Sequence, residues 1–138
     1  SRPLARNFND SEERVRWRTQ LVLDFADAMH ATLERIAMSG ETIRGAMWFE
    51  DDVIVADESW ATRVRRLIQA CGDAWFAIAF LGFKPDPDRR TWLWDNQGYG
   101  GKGTLLFNVQ HLPAFLEYVT TNCDVAPLDW LVDLFLQQ

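Results

Sequence analysis

The run Glu50-Asp51-Asp52 sets three carboxylates in consecutive positions, directly after the apolar run Ala46-Met47-Trp48-Phe49. Like charges this close repel, and keeping them ionised together costs free energy unless a cation or a hydrogen-bond network compensates. A divalent ion is the natural compensator: Mg²⁺ or Mn²⁺ takes one or two carboxylates and fills its shell with water and the phosphate oxygens of a ligand. The same triplet also reads as a solvated turn, and the residues alone leave both readings open. A second carboxylate, Asp129 in Pro127-Leu128-Asp129-Trp130, falls on the first turn of an expected helix. There the macrodipole and free backbone N–H groups favour its ionised, proton-accepting form. It equally fits a residue chosen only for the helix start, and Asp133 one turn on fits a surface charge.

The glycine-dense run Gly98-Tyr99-Gly100-Gly101-Lys102-Gly103 has the backbone N–H groups and the lysine that cradle phosphates. Its spacing matches neither a P-loop nor a dinucleotide fingerprint, and it precedes a strand rather than a helix. It reads as a flap with Lys102 as a phosphate contact. Trp92 and Trp94 lie in the same irregular stretch and offer apolar faces on which a sugar ring stacks, while the other tryptophans read mostly as core. His30 and His111 lack partners at ligand spacing and read as structural, and Cys71 and Cys123 fit neither a disulfide framework nor a zinc site.

These residues must be positioned by a small set of elements. From Asp10 as N-cap, apolar residues recur at Val15, Val22, Phe25, Ala26, Met29, Leu33, Ile36 and Ala37 until Gly40, which predicts a long amphipathic helix. Ala46–Phe49 reads as a buried strand emptying into the carboxylates. A helix over Glu58–Cys71 is expected, with Asp57 as its cap and Gly72 as its stop. Strands are expected over Trp75–Phe80 and Gly103–Asn108, separated by a long irregular connection. Pro113 fits the first turn of a helix to about Thr120, and a last helix starts at Pro127. This order predicts an α/β fold, a mixed sheet flanked by helices, as a single domain over residues 1–138.

With 138 residues, 48% apolar and 13% aromatic, the chain can bury a sizeable core. A formal net charge of −6, with two lysines against twelve arginines, offers no basic stripe to follow a phosphate backbone, so nucleic acid is not an expected partner. No apolar run approaches the roughly 18 residues needed to cross a bilayer, so no membrane contact is expected from this segment.

The stretch Phe8-Asn9-Asp10-Ser11-Glu12-Glu13-Arg14-Val15-Arg16-Trp17-Arg18-Thr19, followed by Leu23-Asp24-Phe25, resembles the signature of the N-acetylglucosaminyltransferase IV family. Phe49 to Ala56 resembles that family's acidic metal motif, Trp75-Phe76-Ala77-Ile78 through Leu81-Gly82-Phe83 its next strand, and Pro127 to Asp133 its Pro-Ile-Asp-Trp-Leu stretch. The resemblance implies a GT-A-type glycosyltransferase fold, of which this chain would be the C-terminal catalytic half, without the N-terminal nucleotide-binding strands. It also implies UDP-GlcNAc as donor, Mn²⁺ or Mg²⁺, inversion at the anomeric carbon, and a glycan or glycolipid acceptor. In a eukaryote it would imply the Golgi lumen.

Carried over by position, Asp52 becomes the direct metal ligand, with Glu50 and Asp51 in support, and Asp129 the base. Arg18, Thr19 and Asp24 would hold the nucleotide or brace the helix. Arg14, Arg16 and Arg18 alternate, so a regular helix cannot point all three at one phosphate, and Arg18 is the choice. Residues 84–98 lengthen the connection relative to the family, which bears on acceptor specificity. The competing class is a non-catalytic module that keeps the fold and binds a carbohydrate or a protein.

Overall fold

The computed structural model describes residues 9–50, 58–80 and 104–138. Their elements run α1 (Glu12–Ser39), β1 (Gly45–Phe49), α2 (Trp60–Cys71), β2 (Ala77–Phe80), β3 (Thr104–Asn108), α3 (Leu112–Thr121) and α4 (Leu128–Leu136). The expected alternation of helices and strands is present, and each expected element is found within about two residues of its sequence-derived boundary. Among the described residues no helix is long and apolar enough to cross a membrane.

The N-cap of α1 is Ser11, whose hydroxyl accepts a hydrogen bond from the Arg14 N–H at 3.2 Å. The sequence reading chose Asp10, whose carboxylate is engaged by arginines instead. Gly40 closes the helix in the left-handed conformation, φ 67°, as expected. Val15, Val22, Phe25, Ala26 and Met29 are buried, but the stripe leaves the core beyond Met29: Leu33 and Ile36 are half-buried and Ala37 is exposed. The last turns of α1 are therefore less covered than the first, with Leu33 still packed against the core. Helix α2 starts at Trp60 with Ser59 at its cap, two residues later than expected, and the expected cap Asp57 lies outside the described residues.

The three strands pair in the order β1-β3-β2, and both pairings are antiparallel. The sheet formed by the described residues is thus antiparallel throughout where a mixed one was expected. Strand orientation depends on which segments meet across the chain, and a strand's own apolar pattern does not record it. Ala46, Trp48, Leu105, Phe107, Ala77 and Ala79 share one face by register and pack against α1, α3 and α4. On the opposite face Leu106 and Trp75 approach Gly45 together with Ile68 of α2. A Cβ on Gly45 would lie 2.9 Å from Leu106 Cδ1, so glycine permits this close approach.

Buried Asn108 ties the far end of the sheet together. Its side-chain amide donates to the Trp75 carbonyl at 2.9 Å, its side-chain oxygen accepts from the Gln110 N–H at 3.1 Å, and its backbone N–H donates to the Phe76 carbonyl at 2.8 Å. At the other end of the sheet the chain leaves β1 at Phe49, leaves β2 at Phe80 and enters β3 at Thr104, since Phe49 and Phe80 both pair with Thr104.

Candidate active site

A cavity of about 430 Å³ opens at that end of the sheet, within the range of roughly 300–1,000 Å³ typical of small-molecule sites. Its floor is the core-facing side of the sheet, Trp48 and Leu105, with Glu50 at the rim where β1 ends. One wall is α1, contributing Arg14, Trp17, Arg18 and Leu21. These positions follow the i, i+3, i+4, i+7 spacing of one helix face. The opposite wall is the start of α4, from Pro127 to Trp130. Two of the sequence-derived candidates far apart in the chain, Glu50 and Asp129, thus line a single cavity.

The beginning of α4 is set by Pro127, whose extended backbone (φ −57°, ψ 157°) precedes the first turn and whose carbonyl accepts from the Leu131 N–H at 2.9 Å. Leu131 and Val132 are fully buried beneath it, so the apolar side of α4 anchors the helix while Asp129 and Trp130 face the cavity. One Asp129 carboxylate oxygen accepts from the Trp130 N–H at 3.0 Å. This contact fixes the orientation of the carboxylate at the first turn of α4.

Arg18 is 2% exposed and is the charged residue that the α1 stripe carries into the core. One of its terminal nitrogens lies 3.1 Å from the Asp10 carboxylate and the other donates to the Asp124 carbonyl at 3.3 Å. Asp10 also pairs with Arg14 at 3.1 Å, so a single carboxylate joins two arginines one helical turn apart. Arg18 therefore ties α1 to the turn before α4 while also lining the cavity. Arg16 lies on the other side of α1 and pairs with Glu12 at 3.9 Å, in keeping with the expectation that the three alternating arginines do not converge.

Thr19 and Asp24 do not line the cavity. The Thr19 hydroxyl donates to the Val15 carbonyl at 2.7 Å, and Asp24 accepts from the Gln20 amide at 2.7 Å, both within α1. Asp51, Asp52, Lys102, Trp92 and Trp94 lie outside the described residues. Among the described residues no three His, Cys, Asp or Glu side chains gather as a metal-binding group. The carboxylates that line the cavity are Asp10, Glu50 and Asp129, and of these Asp10 is already paired with Arg14 and Arg18.

Sequence reasoning missed three residues here. Asp10 was assigned to a cap, although its spacing to Arg14 and Arg18 is that of successive turns on one helix face. Trp17 and Trp130 were assigned by default to the core, yet they are 63% and 48% exposed at the cavity. Their positions beside Arg18 and Asp129 were the available signal.

Comparison with known proteins places the chain beside glycosyltransferases. It is 27% identical over 135 residues to the alpha-1,3-mannosyl-glycoprotein 4-beta-N-acetylglucosaminyltransferase A of Bos taurus, an alignment covering 96% of this chain and 20% of that protein. The Rattus norvegicus protein of the same name is 27% identical over 96% of this chain, and the B protein of Danio rerio is 26% identical over 94% of it. The resemblance carried by the motifs is thus found along nearly the whole chain, which spans about a fifth of the length of these relatives. No family model matches the chain, and no solved structure matches it.

Proposed function

We propose that the cavity between α1, the end of β1 and α4 is the transfer site of an inverting, metal-dependent N-acetylhexosaminyltransferase. It takes the sugar, GlcNAc, from UDP-GlcNAc to a hydroxyl of a glycan within a GT-A-type fold. The observation that carries this reading is the convergence of Glu50 and Asp129 on one cavity, in a chain whose relatives are named as N-acetylglucosaminyltransferases acting on mannosyl-glycoproteins. The Golgi lumen, where such a substrate would be met, belongs to the same proposal.

In this reading Asp129 accepts the proton of the acceptor hydroxyl as its oxygen attacks the anomeric carbon. A positioned base contributes about 10²- to 10⁴-fold to such a step. Glu50 would serve the diphosphate end, and Asp52, outside the described residues, would be the direct ligand of Mn²⁺ or Mg²⁺ with Asp51 in support. Such an ion would supply neutralisation of the charge that develops on the UDP leaving group. Arg18 acts as a positioning residue through Asp10 and Asp124, and Lys102 contacts phosphate.

The test is transfer of radiolabelled GlcNAc from UDP-GlcNAc to a mannose-terminated N-glycan in Mn²⁺, by wild type and Asp129→Asn. Asp129→Asn keeps the shape and removes the base, so the rate falls by about 10²- to 10⁴-fold while the Mn²⁺-dependent rise in thermal midpoint with UDP-GlcNAc persists. A variant as fast as wild type would remove Asp129 from the chemistry. The exposed Trp17 and Trp130 also suit a non-catalytic carbohydrate-binding module. That reading predicts glycan binding with no transfer by wild type.

A further inference from the structure

We infer that Trp17 and Trp130 form an aromatic platform that holds a pyranose ring of the acceptor glycan beside Asp129. The assignment of the ring to the acceptor rests on the transfer reading above, whereas the platform rests on the exposure of the two indoles in one cavity.

The two indoles come from distant parts of the chain, α1 and the first turn of α4, and line the same cavity. They are the most exposed of the described tryptophans, at 63% and 48%, with Trp60 next at 37%. Trp75 is buried, half-buried Trp48 packs edge-on against Phe25, and Trp60 packs edge-on against Phe49. Leaving two large aromatic surfaces in water at one concave site is unfavourable for a folded chain and favourable for a ligand that covers them.

The neighbouring groups define that ligand. Asp129 supplies an acceptor beside Trp130, while Asp10 is paired with Arg14 and Arg18, so the site combines flat apolar faces with a carboxylate acceptor and guanidinium donors. A pyranose is complementary to these groups: its C–H face lies on the electron-rich indole face, and its hydroxyls donate to the Asp129 carboxylate. A purely apolar ligand would leave the Asp129 carboxylate desolvated.

The acceptor follows from the place of Trp130, the residue after Asp129 in the first turn of α4. A base must come within roughly 2.6–3.2 Å of the hydroxyl it deprotonates. The ring bearing that hydroxyl therefore falls at Trp130, while the diphosphate of the donor belongs at the Glu50 rim. The sequence reading had assigned sugar stacking to Trp92 and Trp94.

The experiment is saturation-transfer NMR on the purified 138-residue chain with methyl α-mannopyranoside, and separately with methyl β-N-acetylglucosaminide, without donor or metal. Wild type, Trp17→Ala, Trp130→Ala, Trp130→Phe and Asp129→Asn are compared, with thermal midpoints confirming that each is folded. Wild type saturates the ring C–H protons of the mannoside, each alanine variant weakens its binding by about tenfold, and Trp130→Phe retains most of it. Binding unchanged in both alanine variants, or no binding by wild type, overturns the platform. Loss of binding confined to the N-acetylglucosaminide overturns the acceptor assignment. Asp129→Asn separates the two readings: mannoside binding retained without transfer in any variant leaves the platform standing and removes the transferase, and transfer unaffected by either alanine variant does the reverse.

Discussion

The two faces of the sheet are packed very differently. On one, Phe107 and Phe115 stack with centroids 5.4 Å apart, and Phe25, Phe76 and Phe135 surround Phe115 at 6.1, 5.2 and 5.3 Å. All but Phe76 and Phe135 among these rings are fully buried. On the other face α2 contributes no fully buried residue, and Phe49 and Trp60 meet edge-on while both remain partly exposed. The cavity belongs to the dense face, since Trp48 and Leu105 form its floor and α1 and α4 its walls. A site needing side chains held to fractions of an ångström is best built as an extension of a close-packed core, where neighbours already restrict rotamers. The aromatic cluster and the cavity thus share α1, and the same helix that packs Phe25 inward presents Trp17 and Arg18 to the site.

That contrast predicts graded losses of stability. Phe115→Ala should be the most damaging of three core changes, about 4 kcal/mol, because it empties a position at the centre of four aromatic neighbours. Urea unfolding followed by tryptophan fluorescence would measure it, and a loss under about 2 kcal/mol would mean that the dense face collapses around the gap. Arg18→Met should cost about 3 kcal/mol, since it leaves Asp10, whose side chain is 14% exposed, with its buried guanidinium partner gone. If the methionine proves neutral, the brace between α1 and the turn before α4 is worth no more than the packing that replaces it. Ile68→Ala, on the loose face, should cost about 1 kcal/mol, because α2 can settle onto Gly45 and Leu106. A loss as large as that of Phe115→Ala would abolish the distinction between the faces. Arg18→Met should also lower transfer more than Ile68→Ala does when both are assayed well below their midpoints, because Arg18 lines the cavity wall.

The sequence carried more of the elements than of the site. Helix α1, its Gly40 stop, the Pro127 start of α4 and the short strands were legible because caps, breakers and apolar periodicity act between near neighbours. Ser11 was passed over for Asp10 because both are good caps, and only the packed structure supplied Asp10 with two arginines. The motifs of the resemblance picked out Glu50 and Asp129 one by one and Arg18 as one of three alternating arginines. Thr19 and Asp24 belong to the same motif, yet their side chains are used within the helix.

What the sequence determined by itself was local: where helices and strands run, which carboxylates stand at their ends, and which enzymes the chain is related to. The antiparallel order β1-β3-β2, the burial of Arg18, and the meeting of Glu50, Trp17 and Asp129 around one cavity were decided only by tertiary structure. Each of these depends on segments far apart in the chain coming into contact, and no spacing within a segment records which distant partner it will meet.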